Sequence, residues 1–196
     1  MINPDELERL KAKIVILEEE NLSLSQNSEE LLLINTLFDT ISENHSKASL
    51  YQSILEKIAI LKDIPFCSFL KKNSDNLTLL ASYALFKSDV KEGTKLKLEV
   101  SDLKKIDNEP LFIAKDNIPT IKKQLFISDD NCVCTEIVLI PFNSLLTGEC
   151  VFLLADHELS GDRLSQMLPY LNYVINRIVE RFDIIYYQDE LRKLNH

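Results

Sequence analysis

Apolar side chains recur every seven residues near the start of the chain, at Leu10, Leu17, Leu24, Leu31 and Phe38. Leu7, Ile14, Asn21, Ser28 and Asn35 each fall three residues before one of these. The pattern is a heptad, with apolar d positions and, after Ile14, polar a positions. Asparagine at an a position lowers stability but pairs with its symmetry mate, which favours a parallel two-stranded coil in one register. In that geometry Glu6 meets Lys11 of a second copy and Lys13 meets Glu18, both attractive. One amphipathic helix packed on its own domain produces the same stripe, so both readings stand. The start is marked by Asn3 as N-cap, Pro4 at the first helical position and Glu6 as a capping-box carboxylate.

From Leu31 the stripe widens to include Leu32, Leu33, Ile34, Leu37 and Ile41, as where a coil joins a domain's helical layer. A second helix, capped near Ser46 or Ser49, carries Leu50, Ile54, Leu55, Ile58 and Leu61 and stops before Pro65. Strand patterns follow at residues 66–71, 77–85 and 95–100, with a hairpin loop at 73–76 that makes the first two antiparallel neighbours. Residues 102–130 read as short helices and loops around one strand at 111–114. Two nearly continuous apolar runs, 134–142 and 149–155, are joined by a compact connection at 143–148. Strands without clean alternation are covered on both faces, so helices lie on one side and a second covering, where a ligand could sit, on the other. A last helix starts near Ser160-Gly161-Asp162, bends or restarts at Pro169, and continues an apolar spacing through Ile184, Tyr187, Leu191 and Leu194.

The expected organisation is α+β: a coiled-coil helix over 1–30, a domain over 31–181, and a C-terminal helix over 182–196. With 196 residues, 45% hydrophobic and 27% charged, the chain has apolar mass for one core plus helical extensions. It has no basic, apolar leader and no run approaching about eighteen uncharged apolar residues, so secretion and membrane contact are not expected. Cys67, Cys132, Cys134 and Cys150 sit in or beside apolar runs, which fits buried thiols in a reducing cytoplasm. A net charge of −9 repels phosphate backbones, which argues against nucleic acid.

The order of elements resembles a GAF domain, over about residues 31–181. The run Asn108-Glu109-Pro110-Leu111-Phe112-Ile113-Ala114-Lys115-Asp116 resembles the segment in which a polar turn and proline lead into a short strand ending at aspartate. Residues 135–142, ending Ile-Pro-Phe, resemble the strand that ends in a hydrophobic-Pro-Leu step, and 148–155 the glycine-initiated strand after it. The resemblance implies a sensory pocket on the sheet face opposite the helices, and a parallel homodimer whose flanking helices drive an output domain. It departs from two subclasses: the Asn-Lys, Phe and Asp-Glu pattern of cyclic-nucleotide-binding members is missing, and Val133 and Thr135 follow Cys132 and Cys134 where bilin-binding members place a histidine after the attachment cysteine. Residues 190–196 resemble the connector before a GGDEF diguanylate cyclase and, less closely, before histidine-kinase or HD phosphodiesterase modules. A covalently linked output domain, outside this chain, is thus expected.

No enzymatic motif stands out. Three glycines build no phosphate loop, and His45, His157 and His196 are isolated. Cys132 and Cys134 form half a metal site. Glu136 heads an apolar strand, sharing a face with Val138 and Ile140, and would accept a ligand donor if that face lines the pocket. The resemblance adds Phe69, Ser82, Phe112, Asp116, Phe126 and Cys134 as ligand-binding candidates, though core packing explains the aromatics equally well. No catalytic or metal-binding residue, no cofactor and no specific ligand is assigned. Leu7, Leu10, Ile14, Leu17, Asn21, Leu24, Ile184, Tyr187, Leu191 and Leu194 are the expected dimerisation residues. A purely structural homodimerisation module, without ligand, is the rival reading.

Overall fold

The computed structural model of the chain describes residues 4–43, 47–86, 90, 93–107, 109–126, 134–145, 147–157 and 163–194. Helices α1 (Pro4–Glu43) and α2 (Lys47–Lys62) precede strands β1 (Phe66–Lys72) and β2 (Leu77–Ala84). Strand β3 (Lys95–Leu96), helix α3 (Val100–Lys105), strand β4 (Leu111–Phe112), a 3₁₀ turn (Lys115–Asn117) and helix α4 (Ile118–Leu125) fill the middle. Strands β5 (Glu136–Ser144) and β6 (Gly148–Asp156) and helix α5 (Arg163–Leu194) complete the order.

The strands form one six-stranded antiparallel sheet in the order β3-β2-β1-β6-β5-β4. The β1–β2 hairpin closes where Asn73 N–H donates to Asn76 C=O at 2.9 Å. Its register places Ser68 opposite Ser82 and shifts at Phe69/Leu70, where β2 carries one extra residue, Leu80. The β5–β6 strands run further than their apolar pattern, to Ser144 and from Gly148. Gly148, at φ +80°, supplies the left-handed residue after the short turn, a conformation costly for side chains with a Cβ.

Alternation sorts the sheet into two faces. Cys67, Phe69, Val138, Ile140, Phe142, Phe152 and Leu154 meet α2, α5 and Leu37 of α1. Phe66, Leu70, Leu77, Ile137, Leu139, Val151 and Leu153 meet α3, α4 and Phe126. Covering on both faces accounts for the unbroken apolar runs of β5 and β6, and each fully buried Leu, Ile or Phe contributes about 1.5–3 kcal/mol.

Several expectations change in detail. The third strand ends at Leu96 instead of Val100, which begins α3; only Leu77 and Thr78 pair with it. The strand expected at 111–114 is the two-residue β4. Helix α5 continues through Pro169 without restarting, giving up the bond to the Ser165 carbonyl. Helix α2 starts at Lys47; Asn3, Ser46 and 160–162 lie outside the described residues. On α1 Leu10, Leu17 and Leu24 lie in solvent, and so do Leu31 and Leu32 at 61% and 60% exposure, whereas Leu37 is fully buried.

Helix α2 ends in a Schellman turn. Asp63 takes φ +50°, and Ile64 N–H donates back to Ala59 C=O at 2.9 Å. The free carbonyls of Lys62 and Asp63 accept hydrogen bonds from Arg163 Nη2, while Arg163 Nη1 lies 3.2 Å from Asp156 Oδ2. One guanidinium therefore joins the end of α2, the end of β6 and the first turn of α5, with charge-assisted bonds.

Candidate functional site

Because β3 is two residues long, the outer edge of β2 loses its strand partner early. Leu79 N–H still donates to Thr94 C=O at 2.9 Å, but no residue after Thr78 pairs with β3. The chain returns near this edge at Val90, which bridges Phe126, and turns into β3 past Gly93 at φ +67°. Between β2, Gln52 of α2 and this returning segment lies a groove of about 720 Å³. Leu79, Ser82, Tyr83, Phe86 and Val90 contribute to its wall. Its size falls within the range of small-molecule pockets, roughly 300–1,000 Å³. The wall combines one hydroxyl, one amide and a phenol with apolar and aromatic surface, and no charged residue lines it among the described residues.

A second hollow, about 550 Å³, lies by Lys72, Ile106, Asp107, Phe142, Glu149 and Asn176. Lys72 looks like an anion receptor there. Its ammonium is already ion-paired with Asp107, and with Glu149 at 3.4 Å, so it offers no free charge.

The sequence candidates do not converge on one place. Ser82 lines the groove. Phe126 and Cys134 are buried in the distal core, Phe126 edge-on to Phe66 at 5.0 Å and 6.1 Å from Phe86. Phe69 faces the helices, edge-on to Phe142 and tilted against Tyr51 and Phe152. Glu136 does share the parity of Val138 and Ile140, but that face packs against the helical layer, and its register partner is Asp156. Phe112 and Asp116 are exposed on β4 and the 3₁₀ turn. Cys132 lies outside the described residues. Gln52, Tyr83, Phe86 and Val90 carry no sequence signal that separates them from core or loop residues, because the groove arises from a missing strand pairing.

The described thiols are poor nucleophiles. Cys67 is fully buried, burial pushes its pKa up, and its Sγ–H donates to Leu55 C=O at 3.4 Å. Cys134 and Cys150 are buried and unbridged. Among the described residues no cluster of three His, Cys, Asp or Glu could hold a metal ion, and no helix is long and apolar enough to cross a membrane.

No protein-family model and no curated protein sequence matches the chain. Solved structures do. The chain is similar to the GAF domain of A. aeolicus nlh2 in an inactive state, with TM-score 0.58 and 12% identity, covering 81% of this chain and 98% of that one. It is similar to a phycoerythrobilin-bound GAF domain from a cyanobacterial phytochrome, with TM-score 0.55 and 8% identity over 83% of this chain and 99% of that one. A free methionine-R-sulfoxide reductase from Neisseria meningitidis, in complex with its substrate, aligns with TM-score 0.54 and 10% identity over 77% and 86%. At such identities the likeness establishes the fold, which is GAF-like.

Proposed function

We propose that the chain is a non-catalytic sensory domain of a cytoplasmic signalling protein, in which a small ligand held along β2 shifts the packing of two dimerising helices. The observation that carries this reading is a groove of about 720 Å³ on a GAF-like sheet, with no charged lining among the described residues. One solved structure of the same fold holds a phycoerythrobilin and another its substrate.

The transmission path has physical support. Gln52 of α2 lines the groove, α2 packs with α1 and α5 in one core, and α1 and α5 also contact each other. Both long helices carry exposed apolar stripes, from Leu10 to Leu31 and from Ile184 to Leu194. A second copy of the chain covers them in this reading. The relay requires two arrangements of the helices that the ligand binds unequally. The output is a covalently linked domain beyond His196: a GGDEF diguanylate cyclase, making cyclic-di-GMP, or, on weaker resemblance, a two-component histidine kinase or an HD phosphodiesterase. Turnover is disfavoured by the burial of Cys67, Cys134 and Cys150.

A rival reading is a structural homodimerisation module without ligand. It is favoured by the distal face, where Phe126 packs edge-on to Phe66 and tilted against Phe86, filling space with the protein's own rings. The two readings part on one experiment. Small molecules that co-purify with the chain are extracted and identified by mass spectrometry, then added back in a thermal-shift assay. A sensory groove yields stabilisation of about 2.7 kcal/mol at a hundredfold excess over Kd, a melting shift of about 5–10 °C, abolished by Ser82→Trp. Absence of any bound molecule and of any shift across a metabolite library leaves the structural module.

A further inference from the structure

Six consecutive residues, Leu79 to Ala84, line the groove, although their side chains do not share a face. Leu80, Ala81 and Tyr83 pack toward the helical core, Leu79 and Ala84 toward the distal one. The groove therefore runs astride β2. Gln52 of α2 flanks it on one side and Phe86 and Val90 on the other, and its floor is the outer edge of the strand.

The hydrogen bonding identifies the backbone groups on that edge. Leu85 N–H donates to Pro65 C=O at 2.9 Å, across the Phe66–Ala84 pair. That pair is thus a non-hydrogen-bonded one, and the N–H and C=O of Ala84 turn away from β1. By alternation those of Ser82 turn outward too, whereas Ala81 and Tyr83 bond to β1. The extra residue Leu80 shifts the phase by one, so Leu79 points outward in its turn and donates to Thr94 C=O at 2.9 Å. Strand β3 goes no further: its pairs with β2 are Leu77–Leu96 and Thr78–Lys95. Among the described residues no backbone hydrogen bond reaches the outer side of Ser82 or Ala84. Open N–H and C=O groups on a strand edge are a template for another extended backbone.

We infer, building on the sensory reading above, that the ligand is a short extended peptide, which continues the line of β3 and pairs with Ser82 and Ala84 as an added strand. Its successive side chains alternate between the flank of Gln52 and Tyr83 and that of Phe86 and Val90. Flanks on both sides leave a slot for a single strand. The same edge of a second copy carries the same flanks and would set wall against wall. The net charge of −9 favours a neutral or basic peptide over an acidic one.

The test uses the whole chain and a positional-scanning library of acetylated hexapeptide amides, with affinity read by calorimetry and the site by amide hydrogen exchange. The inference expects a neutral or basic member to bind with Kd below about 1 mM. At saturation, exchange slows at least about 10-fold at the Ser82 and Ala84 amides and stays unchanged at Ala81 and Tyr83. Methylating the peptide's amide nitrogens one at a time weakens binding at least about 10-fold at alternate positions and less than about 2-fold at those between. Ser82→Pro removes an outward N–H while sparing the ladder to β1, and weakens binding to the same degree; should that variant not fold, the methylated series decides. Methylation that acts equally at every position overturns the inference, as does a tightest binder that is acidic. Protection of Ser82 and Ala84 that appears without peptide as chain concentration rises assigns the edge to a second copy and also overturns it. A library without a binder overturns it too; the sensory reading survives that result if a co-purified non-peptide molecule stabilises the chain.

Discussion

Asp183 on α5 accepts two hydrogen bonds from the β5–β6 hairpin: Ser144 Oγ–H at 3.2 Å and Leu145 N–H at 2.9 Å, both to Oδ1. Its neighbour Phe182 is buried in the helical-face core, edge-on to Tyr51 at 5.7 Å, whereas Ile184 is 46% exposed. The hairpin therefore grips α5 at the point where the helix leaves the domain. A carboxylate fits because it accepts from both donors at once. Asp183→Ala is expected to cost about 1–2 kcal/mol in urea unfolding, the groups being partly solvated. Hydrogen exchange at the Leu145 amide accelerates in the same variant; unchanged exchange there would show that the hairpin is held by something else.

The Asp156–Arg163 pair is a separate joint. Asp156 is 2% exposed, and besides Arg163 it accepts the His157 N–H at 2.8 Å. Arg163→Ala leaves this carboxylate buried with one partner fewer and the carbonyls of Lys62 and Asp63 without their guanidinium donor. The expected loss is about 3 kcal/mol. Replacing both residues, Asp156→Asn with Arg163→Met, recovers much of it, because no uncompensated buried charge remains. A double variant no more stable than Arg163→Ala would refute that account.

Alkaline pH should unfold the chain through the helical-face core. Burial raises the Tyr51 phenol above its ordinary 10.0, with Cys150 and Asp183 adding to the rise and the Thr147 hydrogen bond opposing it. Burial raises the Cys67 thiol as well. A group with a raised folded-state pKa keeps its proton longer in the native state than in the unfolded chain. Its contribution is complete below the unfolded pKa and lost as pH climbs through the folded one. Stability is thus expected to decline from about pH 9 upward, with Tyr51→Phe flattening part of the slope. A native chain equally stable at pH 8 and pH 11 would contradict the assignment.

Self-association gives the last prediction. Leu17 and Leu24 on α1, at 46% and 66% exposure, and Tyr187 and Leu191 on α5 touch solvent in the single chain. Sedimentation equilibrium of the native chain is expected to give a dimer at micromolar concentration. Leu17→Lys combined with Leu191→Lys yields a monomer whose folded core, far from both sites, keeps its near-ultraviolet spectrum. A native chain that remains monomeric at high micromolar concentration removes the proposed relay.

Much of the fold is legible in local periodicity. The heptad leucines, the 3.6-residue spacing of Leu50 to Leu61 and the hairpin at 73–76 need only neighbouring residues to specify them. The apolar runs in β5 and β6 likewise announced a sheet covered on both sides. The candidate site was less legible. Period two shows that Phe66, Ser68 and Leu70 share a face and that Cys67 and Phe69 share the other, but a strand apolar on both faces contains no local sign of which face meets α2 and α5. Phe69 and Glu136 accordingly fall on the helical side, opposite the face that carries Ser82.

What the sequence by itself determined is the long helices, the two strand pairs β1–β2 and β5–β6 and their order, because helix and strand periods and turn residues act over a few neighbours. Tertiary structure alone decided the short reach of β3, the groove this leaves beside β2, the pairing of Ser68 with Ser82, and the grip of Asp183 on a hairpin 38 residues away. Each depends on which distant segments come to lie side by side, and that is set by burial of the whole core rather than by the preference of any single stretch.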